Sequence, residues 1–317
     1  MLDKKAIREQ IEKLGWCQSN YWLIAGAAMV LHGAKDLTHD IDMGITTAWA
    51  DELIRAGARW SGEVGTRKIE LDDDIELFEN GRVGEIEWVD GVPVLCLDGI
   101  LEMKIRRGRP KDARDIALIR ALQNPGTTRV YFVRHAQPNY ENHDDRNREL
   151  TQRGLADRHL ATEFLRDKNV SAVLSSPYKR AVDTVRPLAE TLQLPIETID
   201  GFRERRVDGG WIEDIHAFIR NQWADFDFKR PGGESLAEVQ HRNVAALSDV
   251  LARYAGKTVV IGAHGTALST LIHFYDPSFG YNEFEGMRMR MPWIAKFTFE
   301  GLSCVGIETI DVLEIRP

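Results

Sequence analysis

No apolar run in the 317 residues approaches the roughly 18 to 20 that a membrane-spanning helix needs. The N-terminal stretch "MLDKKAIREQIEKLG" is charged and helix-like and lacks the apolar core of a secretory signal. Cysteine is scarce: Cys17, Cys96 and Cys304 are odd in number, widely spaced and mostly in apolar surroundings. That pattern argues against a disulfide framework or a cysteine zinc site and fits reduced thiols in a cytoplasmic protein. A basic excess is also lacking. Net charge is −8, with 17 Lys and Arg against 22 Asp and Glu in residues 1–122, and 24 against 27 in the remainder. Neither half has the electrostatic footprint of a nucleic-acid binder, which leaves small phosphorylated molecules as the better-matched partners. Internal repeats and low-complexity segments are absent.

What is present is ample core material, 43% hydrophobic against 28% charged residues, in a length comfortable for two domains. The break falls in "ALQNPGTTRVYF", where a helical run stops at Asn124-Pro125-Gly126 and a strand pattern starts at Arg129. The reading is a domain over 1–122, a linker over 123–128 and a domain over 129–317. The first mixes helices with strands in "DLTHDIDMGIT", "TRKIELDDDIELF" and "GVPVLCLD" (α+β). The second alternates strand and helix, which predicts a mostly parallel sheet covered on both faces, with ligands beyond the carboxyl ends of its strands.

Three predicted strands of the second half end in chemistry. "RVYFVRHAQPNY" runs from a buried strand into Arg134 and His135. "AVLSSPYKRAVDT" places Arg180 on the first helical turn after its strand, and "TVVIGAHGTALST" ends in His264 and Gly265 before opening a helix. Backbone N–H groups at such helix starts favour an anion, and arginine forks match phosphoryl oxygens. Two histidines and two arginines converging on one crevice make a phosphate pocket.

With "PGGESLAEVQHR", these segments resemble the histidine phosphatase (phosphoglycerate mutase-like) superfamily over about residues 127–317. The resemblance implies a three-layer α/β/α domain. His135 would be the nucleophile that forms a phosphohistidine without a metal. Arg134, Arg180 and His264 would bind the phosphoryl oxygens, with Ser176 and Gly265 at the substrate. Glu204, in "GFRERRVDGGW", would be the proton donor, with Asp208 as the fallback. The family's glycine after the histidine is Ala136 here and its frequent threonine is Pro138. Asn139 is a candidate phosphate contact at a shifted offset. The aromatic segment "RRVDGGWIEDIHAFIRNQWADFDFKR" is expected to cover the site and select the substrate, and the length of the half is nearer the compact phosphatases than the mutases.

In the first half, "YWLIAGAAMVLHGAKDLTHDIDMGIT" reads as strand, tight turn, short helix and a strand carrying Asp40 and Asp42. Two positions apart on a strand, these carboxylates face the same way, and a divalent cation is the natural counter-charge. Glu76 would complete the set from an adjacent strand, with Asp72, Asp73 and Asp74 as competitors. About residues 20–120 resemble the minimal nucleotidyltransferase fold of the DNA polymerase beta superfamily, on "AGAAMVLHG", "LTHDIDMGI", "IELF" and "LEMKIRRGRPKDARDIALI". That resemblance implies Mg²⁺ on Asp40, Asp42 and Glu76, an NTP approached by a turn at Gly26 and Ala27, and phosphate charge met by Lys104 or Lys111. Lys111 and Asp112 could instead form a helix-anchoring ion pair.

The leading expectation is therefore a phosphomonoesterase joined to a Mg²⁺-dependent nucleotidyltransferase acting on a small-molecule acceptor. One alternative keeps the phosphatase alone and makes residues 1–122 a nucleotide-sensing or partner-binding module. Another is a defence or toxin-antidote component acting on nucleotides or RNA through a cationic face of Arg106, Arg107, Arg109, Lys111 and Arg114.

Overall fold

The structure is a computed structural model that describes residues 1–71, 74–123, 126–207 and 214–315. It divides into two compact units, Met1–Gln123 and Asn124–Pro317.

The first unit runs α1 (Lys4–Leu14), β1 (Tyr21–Leu23), α2 (Ala25–Leu31), β2 (Ile41–Ile45), α3 (Thr47–Arg55), β3 (Arg59–Ser61), β4 (Lys68–Glu70), β5 (Ile75–Glu79), β6 (Ile86–Val89), β7 (Val92–Leu95), α4 (Leu97–Arg107) and α5 (Asp112–Gln123). Its strands order as β3-β4-β5-β2-β1-β7-β6. The β2–β5 and β1–β7 pairs are parallel and the others antiparallel. The alternation in β5 explains its placement: Ile75, Leu77 and Glu79 are buried, and Glu79 is neutralised there by Arg67 at 2.7 Å. Gly108, with φ 57, ends α4 in the left-handed conformation that glycine adopts at least cost and so separates α4 from α5.

The second unit runs β8 (Thr127–Arg134), α6 (Gln152–Leu165), β9 (Val170–Ser175), α7 (Lys179–Leu192), β10 (Ile196–Thr198), α8 (Ile215–Ala224), α9 (Leu236–Arg253), β11 (Thr258–Ala263), α10 (Gly265–Tyr275), α11 (Tyr281–Met287), β12 (Trp293–Glu300) and β13 (Ser303–Ile310). The sheet order is β10-β9-β11-β8-β12-β13. The first four strands are parallel, whereas β12 is antiparallel to β8 and β13 to β12. The sheet is thus mixed, where alternation alone predicted a mostly parallel one. The reason is local: Gly301 turns the chain back with φ 59, and the β12–β13 hairpin closes one edge.

Strand β8 is buried through its centre because both sheet faces are covered. Val130 and Phe132 enter a core with α9, α10 and α11, while Tyr131 and Val133 enter a second core with α6 and α7. Helix α9 begins with a reciprocal capping box between Ser235 and Glu238, as "GESLAEV" encodes. Among the described residues, no helix is long and apolar enough to cross a membrane.

Candidate active site

Parallel pairing aligns the carboxyl ends of β8, β9 and β11: Ala263 lies opposite Arg134, and Gly262 opposite both Val133 and Ser175. The residues that follow each strand therefore gather at one edge of the sheet. Arg134 and His135 are each 5% exposed, Arg180 is 3% exposed, and His264 is fully buried.

His135 points its Nδ1 at the carbonyl oxygen of Ala136, 2.8 Å away. A carbonyl only accepts, so the bond assigns the proton of a neutral ring to Nδ1 and leaves the lone pair on Nε2. The ring is neutral because burial, then the charges of Arg180 and Arg134, push its pKa well below the usual histidine value. The Ala136 amide donates to Thr184 Oγ1 at 2.9 Å, and that hydroxyl donates to the Arg180 carbonyl at 2.7 Å. Thr184 thus ties the segment after β8 to the first turns of α7. Nothing in the sequence reading singled it out.

Arg134 donates through Nη1 to the carbonyls of Met287 at 2.7 Å and Arg290 at 3.2 Å, and its buried Nε has no partner among the described residues. Burial lowers its pKa to about 10, a measure of how costly a cation is there without an anion. A Cβ on Gly265 would stand 3.2 Å from that Nε, so glycine is what lets the start of α10 close on the guanidinium. Arg180 donates through Nη1 to the Asp145 carbonyl, and its Nη2 lies 3.2 Å from Asp145 Oδ1. Its guanidinium sits over the Tyr178 ring, 5.2 Å from the centroid.

His264 caps α10 and meets the His135 ring edge-on, with centroids 5.3 Å apart. Burial, followed by the charge of Arg180, drives its pKa well below the usual value. Its Nε2 lies 2.7 Å from Ser176 Oγ, while Nδ1 has no partner among the described residues. Ser176 was expected at the substrate; the structure engages its hydroxyl with His264 and with the Tyr178 amide, donated at 3.2 Å, so it orients a ring. Glu204 accepts from the backbone amides of Thr266 at 3.1 Å, Ala267 at 3.1 Å and Arg205 at 2.7 Å. Its carboxylate therefore sits at the positive end of α10, beside Gly265. Asp208, its fallback, lies outside the described residues.

Asn139 does not stand free for a phosphate. Its amide donates to Glu149 at 2.7 Å and its oxygen accepts from the Glu141 amide at 3.1 Å, closing the loop that follows Pro138. That loop also delivers Arg148, whose charge acts on both His135 and Arg180, and neither Arg148 nor Asp145 was legible as a site residue.

In the first unit, the predicted ligands are only partly assembled. Asp42 and Glu76 are in register on the parallel strands β2 and β5, but Asp40 precedes β2 and is exposed. Burial, then the charges of Asp40 and Glu76, raise the Asp42 pKa to about 6. Glu76 Oε1 is held by Lys68 Nζ at 2.7 Å. Among the described residues, no group of three or more His, Cys, Asp or Glu is spaced to hold a metal ion. Asp72 and Asp73 lie outside those residues, and Asp74 immediately precedes β5. Gly26 and Ala27 form the first turn of α2, where a Cβ on Gly26 would strike Thr38 Oγ1 at 2.4 Å; the positive-φ residue is Ala25, with φ 50. Lys104 is consumed by Asp115 at 2.5 Å and Asp112 at 3.4 Å, inside the α4–α5 pair. Asp112 pairs with Arg109 as well, at 2.7 Å, so the anchor suggested for Lys111 is made by other cations. Arg106 pairs with Glu102, which removes part of the proposed cationic face.

Comparison with known proteins supports the second unit. The family model "Histidine phosphatase superfamily (branch 1)" matches residues 130–301, more than half of the 317-residue chain. The uncharacterized phosphatase PhoE of Bacillus subtilis (strain 168) is 34% identical over 110 residues, which are 35% of this chain and 55% of that protein, so the match spans about half of this relative's length. A probable phosphoglycerate mutase, GpmB of Yersinia pestis (strain Pestoides F), is 27% identical over 157 residues, 45% of this chain and 72% of that protein. The crystal structure of an Entamoeba histolytica phosphoserine phosphatase mutant in complex with phosphoserine superposes with a TM-score of 0.50 at 18% identity, covering 60% of this chain and all of that one. It speaks for the fold alone. None of this supports the nucleotidyltransferase resemblance of residues 1–122, since the family match begins at residue 130. On the span of that match, the chain belongs to the histidine phosphatase superfamily.

Proposed function

We propose that the second unit hydrolyses a phosphomonoester through a phosphohistidine on His135. The observation that carries this reading is the His135 Nδ1 bond to the Ala136 carbonyl, which leaves Nε2 as a neutral lone pair among Arg134, Arg180 and His264. In the first step Nε2 attacks phosphorus in line, and the bond from phosphorus to the ester oxygen breaks. Glu204, as the carboxylic acid, gives its proton to the departing oxygen. In the second step water attacks phosphorus, Glu204 takes the proton, the N–P bond breaks and inorganic phosphate leaves. The two guanidiniums and His264 stabilise the equatorial oxygens in both transition states. The relatives' names cover both phosphatase and mutase chemistry. Hydrolysis is favoured because it needs only water as the acceptor.

The test is release of inorganic phosphate from p-nitrophenyl phosphate by the full chain in EDTA, alongside a His135→Asn variant. Turnover by the wild type, lost in the variant, supports the reading. No turnover, or equal turnover by the variant, overturns it.

For residues 1–123, the register of Asp42 with Glu76 favours the expected Mg²⁺ site, but the set does not fit the ion as it stands. Glu76 is committed to Lys68, Asp40 lies off the strand, and Lys104 is neutralised by two aspartates. The reading we favour is a nucleotide-sensing or partner-binding module beside the phosphatase. NTP binding to the full chain, with and without Mg²⁺, decides: a Mg²⁺-dependent component lost in Asp42→Asn would restore the transferase reading.

A further inference from the structure

The loop between Pro138 and Leu150 is shaped to bring one carboxylate onto one buried and one part-buried cation. Its ends are bridged at Pro138 and Leu150, and the amides of Asn139 and Asn142 both donate to Glu149 at 2.7 Å. Asp144 closes the turn by accepting from the Arg146 and Asn147 amides, each at 3.1 Å, and the Lys179 amide donates to the Arg146 carbonyl at 2.9 Å. The result is that a single oxygen, Asp145 Oδ1, lies 3.2 Å from Arg180 Nη2 and 3.1 Å from Arg148 Nη1. Arg148 is itself aimed by its Nε, which donates to the Asn142 carbonyl at 2.8 Å, and by the Tyr140 ring, 5.5 Å from its guanidinium carbon.

An oxygen anion held between two guanidiniums is the arrangement a phosphoryl oxygen takes in an arginine-built site. The two cations are withdrawn from water, with side chains 3% and 14% exposed, whereas the Asp145 side chain is 44% exposed. Without an anion, Arg134, Arg148 and Arg180 would repel one another in a nearly dry pocket. A half-exposed carboxylate offsets that repulsion and can swing into solvent at little cost. The Asp144 turn and the Glu149 bonds do not depend on it.

We propose that Asp145 is an exchangeable counter-anion, whose Oδ1 keeps the place between Arg180 and Arg148 that an oxygen of the phosphoryl group takes on binding. Arg148 is then a further phosphate-binding residue, and Asp145 a positioning residue that sets the affinity for the anion. The inference rests on the phosphohydrolase reading of the same site.

Calorimetric titration of the full chain with inorganic phosphate tests it, comparing the wild type with Asp145→Asn and Arg148→Gln. Removing a competing charge shared by two half-screened ion pairs should tighten phosphate binding roughly fivefold in Asp145→Asn, and removing one cation should weaken it by a similar factor in Arg148→Gln. Two further readouts separate exchange from a structural role. KM for p-nitrophenyl phosphate falls in Asp145→Asn, and the phosphate-free variant melts below the wild type although it binds phosphate more tightly. A structural role alone would lower the melting temperature and weaken phosphate together. Unchanged or weaker phosphate binding in Asp145→Asn overturns the proposal, and loss of kcat at unchanged affinity would make Asp145 a proton donor instead. If the wild type binds phosphate but turns over no phosphomonoester, the hydrolase reading fails and the exchange is judged on affinity alone. If the wild type binds no phosphate, both fall.

Discussion

The imidazoles of His135 and His264 meet edge to face, with ring centroids 5.3 Å apart and planes inclined by 62°. Both rings are buried, and both are held neutral by burial and by the arginines around them. Two neutral rings pack where two imidazolium ions would repel, so the pair couples the chemistry of the site to the stability of the fold.

Acid should therefore destabilise the protein early. Each ring's folded-state pKa is depressed below the unfolded value of 6.5, so below that pH the unfolded chain binds protons that the folded one refuses. Stability is then lost as pH falls, with a slope of up to about 1.4 kcal/mol per pH unit for each ring. Urea midpoints at pH 7 and pH 5.5 measure the loss. A His135→Asn/His264→Asn double variant should show a flatter dependence, and an unchanged slope would contradict the assignment.

Glu204→Gln keeps the size of the side chain and one of its two acceptor oxygens at the start of α10, and removes the transferable proton. Turnover of an alkyl phosphate, whose leaving oxygen needs that proton, should fall about 10²- to 10⁴-fold. p-Nitrophenyl phosphate, with a far more acidic leaving group, should lose much less. Equal losses on the two substrates would remove Glu204 from the role of acid.

Gly265→Ala introduces a Cβ 3.2 Å from Arg134 Nε and 3.4 Å from Cζ and Nη2. The guanidinium has little room to yield, because Met287 and Arg290 hold Nη1 on its other side. Displacing it by a few tenths of an ångström should lower kcat/KM by roughly tenfold with the fold intact. Wild-type kinetics in the variant would show that Arg134 does not need its present position.

In the first unit, Asp42 is a carboxylate held where its charge is unfavourable. Its folded pKa is raised from 3.8 to about 6, by burial and then by Asp40 and Glu76. Its favourable contribution is present below pH 3.8 and is lost as pH rises through about 6. Asp42→Asn should accordingly stabilise the protein at pH 7 by about 1–2 kcal/mol and leave it unchanged near pH 4, as read from denaturant midpoints. If Mg²⁺ stabilises the wild type and that gain disappears in Asp42→Asn, the carboxylate is a ligand after all.

Much of the second unit was legible because its signals are local. Strands that end in Arg134-His135, Ser175-Ser176 and Ala263-His264, the last two followed within a few residues by a helix, put charged and ring side chains at strand tips whatever the rest of the chain does. Parallel pairing then brings the tips together. The first unit reads less well for the same reason. A D-x-D pattern states the spacing of Asp40 and Asp42, but whether they share a face depends on where β2 begins, and it begins one residue after Asp40.

By itself, the sequence determined the alternation that builds a covered sheet, the tips that carry Arg134, His135, Arg180 and His264, and the spacing of the N-terminal carboxylates. Only the tertiary structure decided which partner each polar group takes. Ser176 went to His264, Asn139 to Glu149, Lys104 to Asp112 and Asp115, and Asp145 to Arg180 and Arg148. Backbone periodicity follows from neighbours three or four residues away. The pairing of a buried charge is settled by desolvation, which depends on distant parts of the chain closing over it.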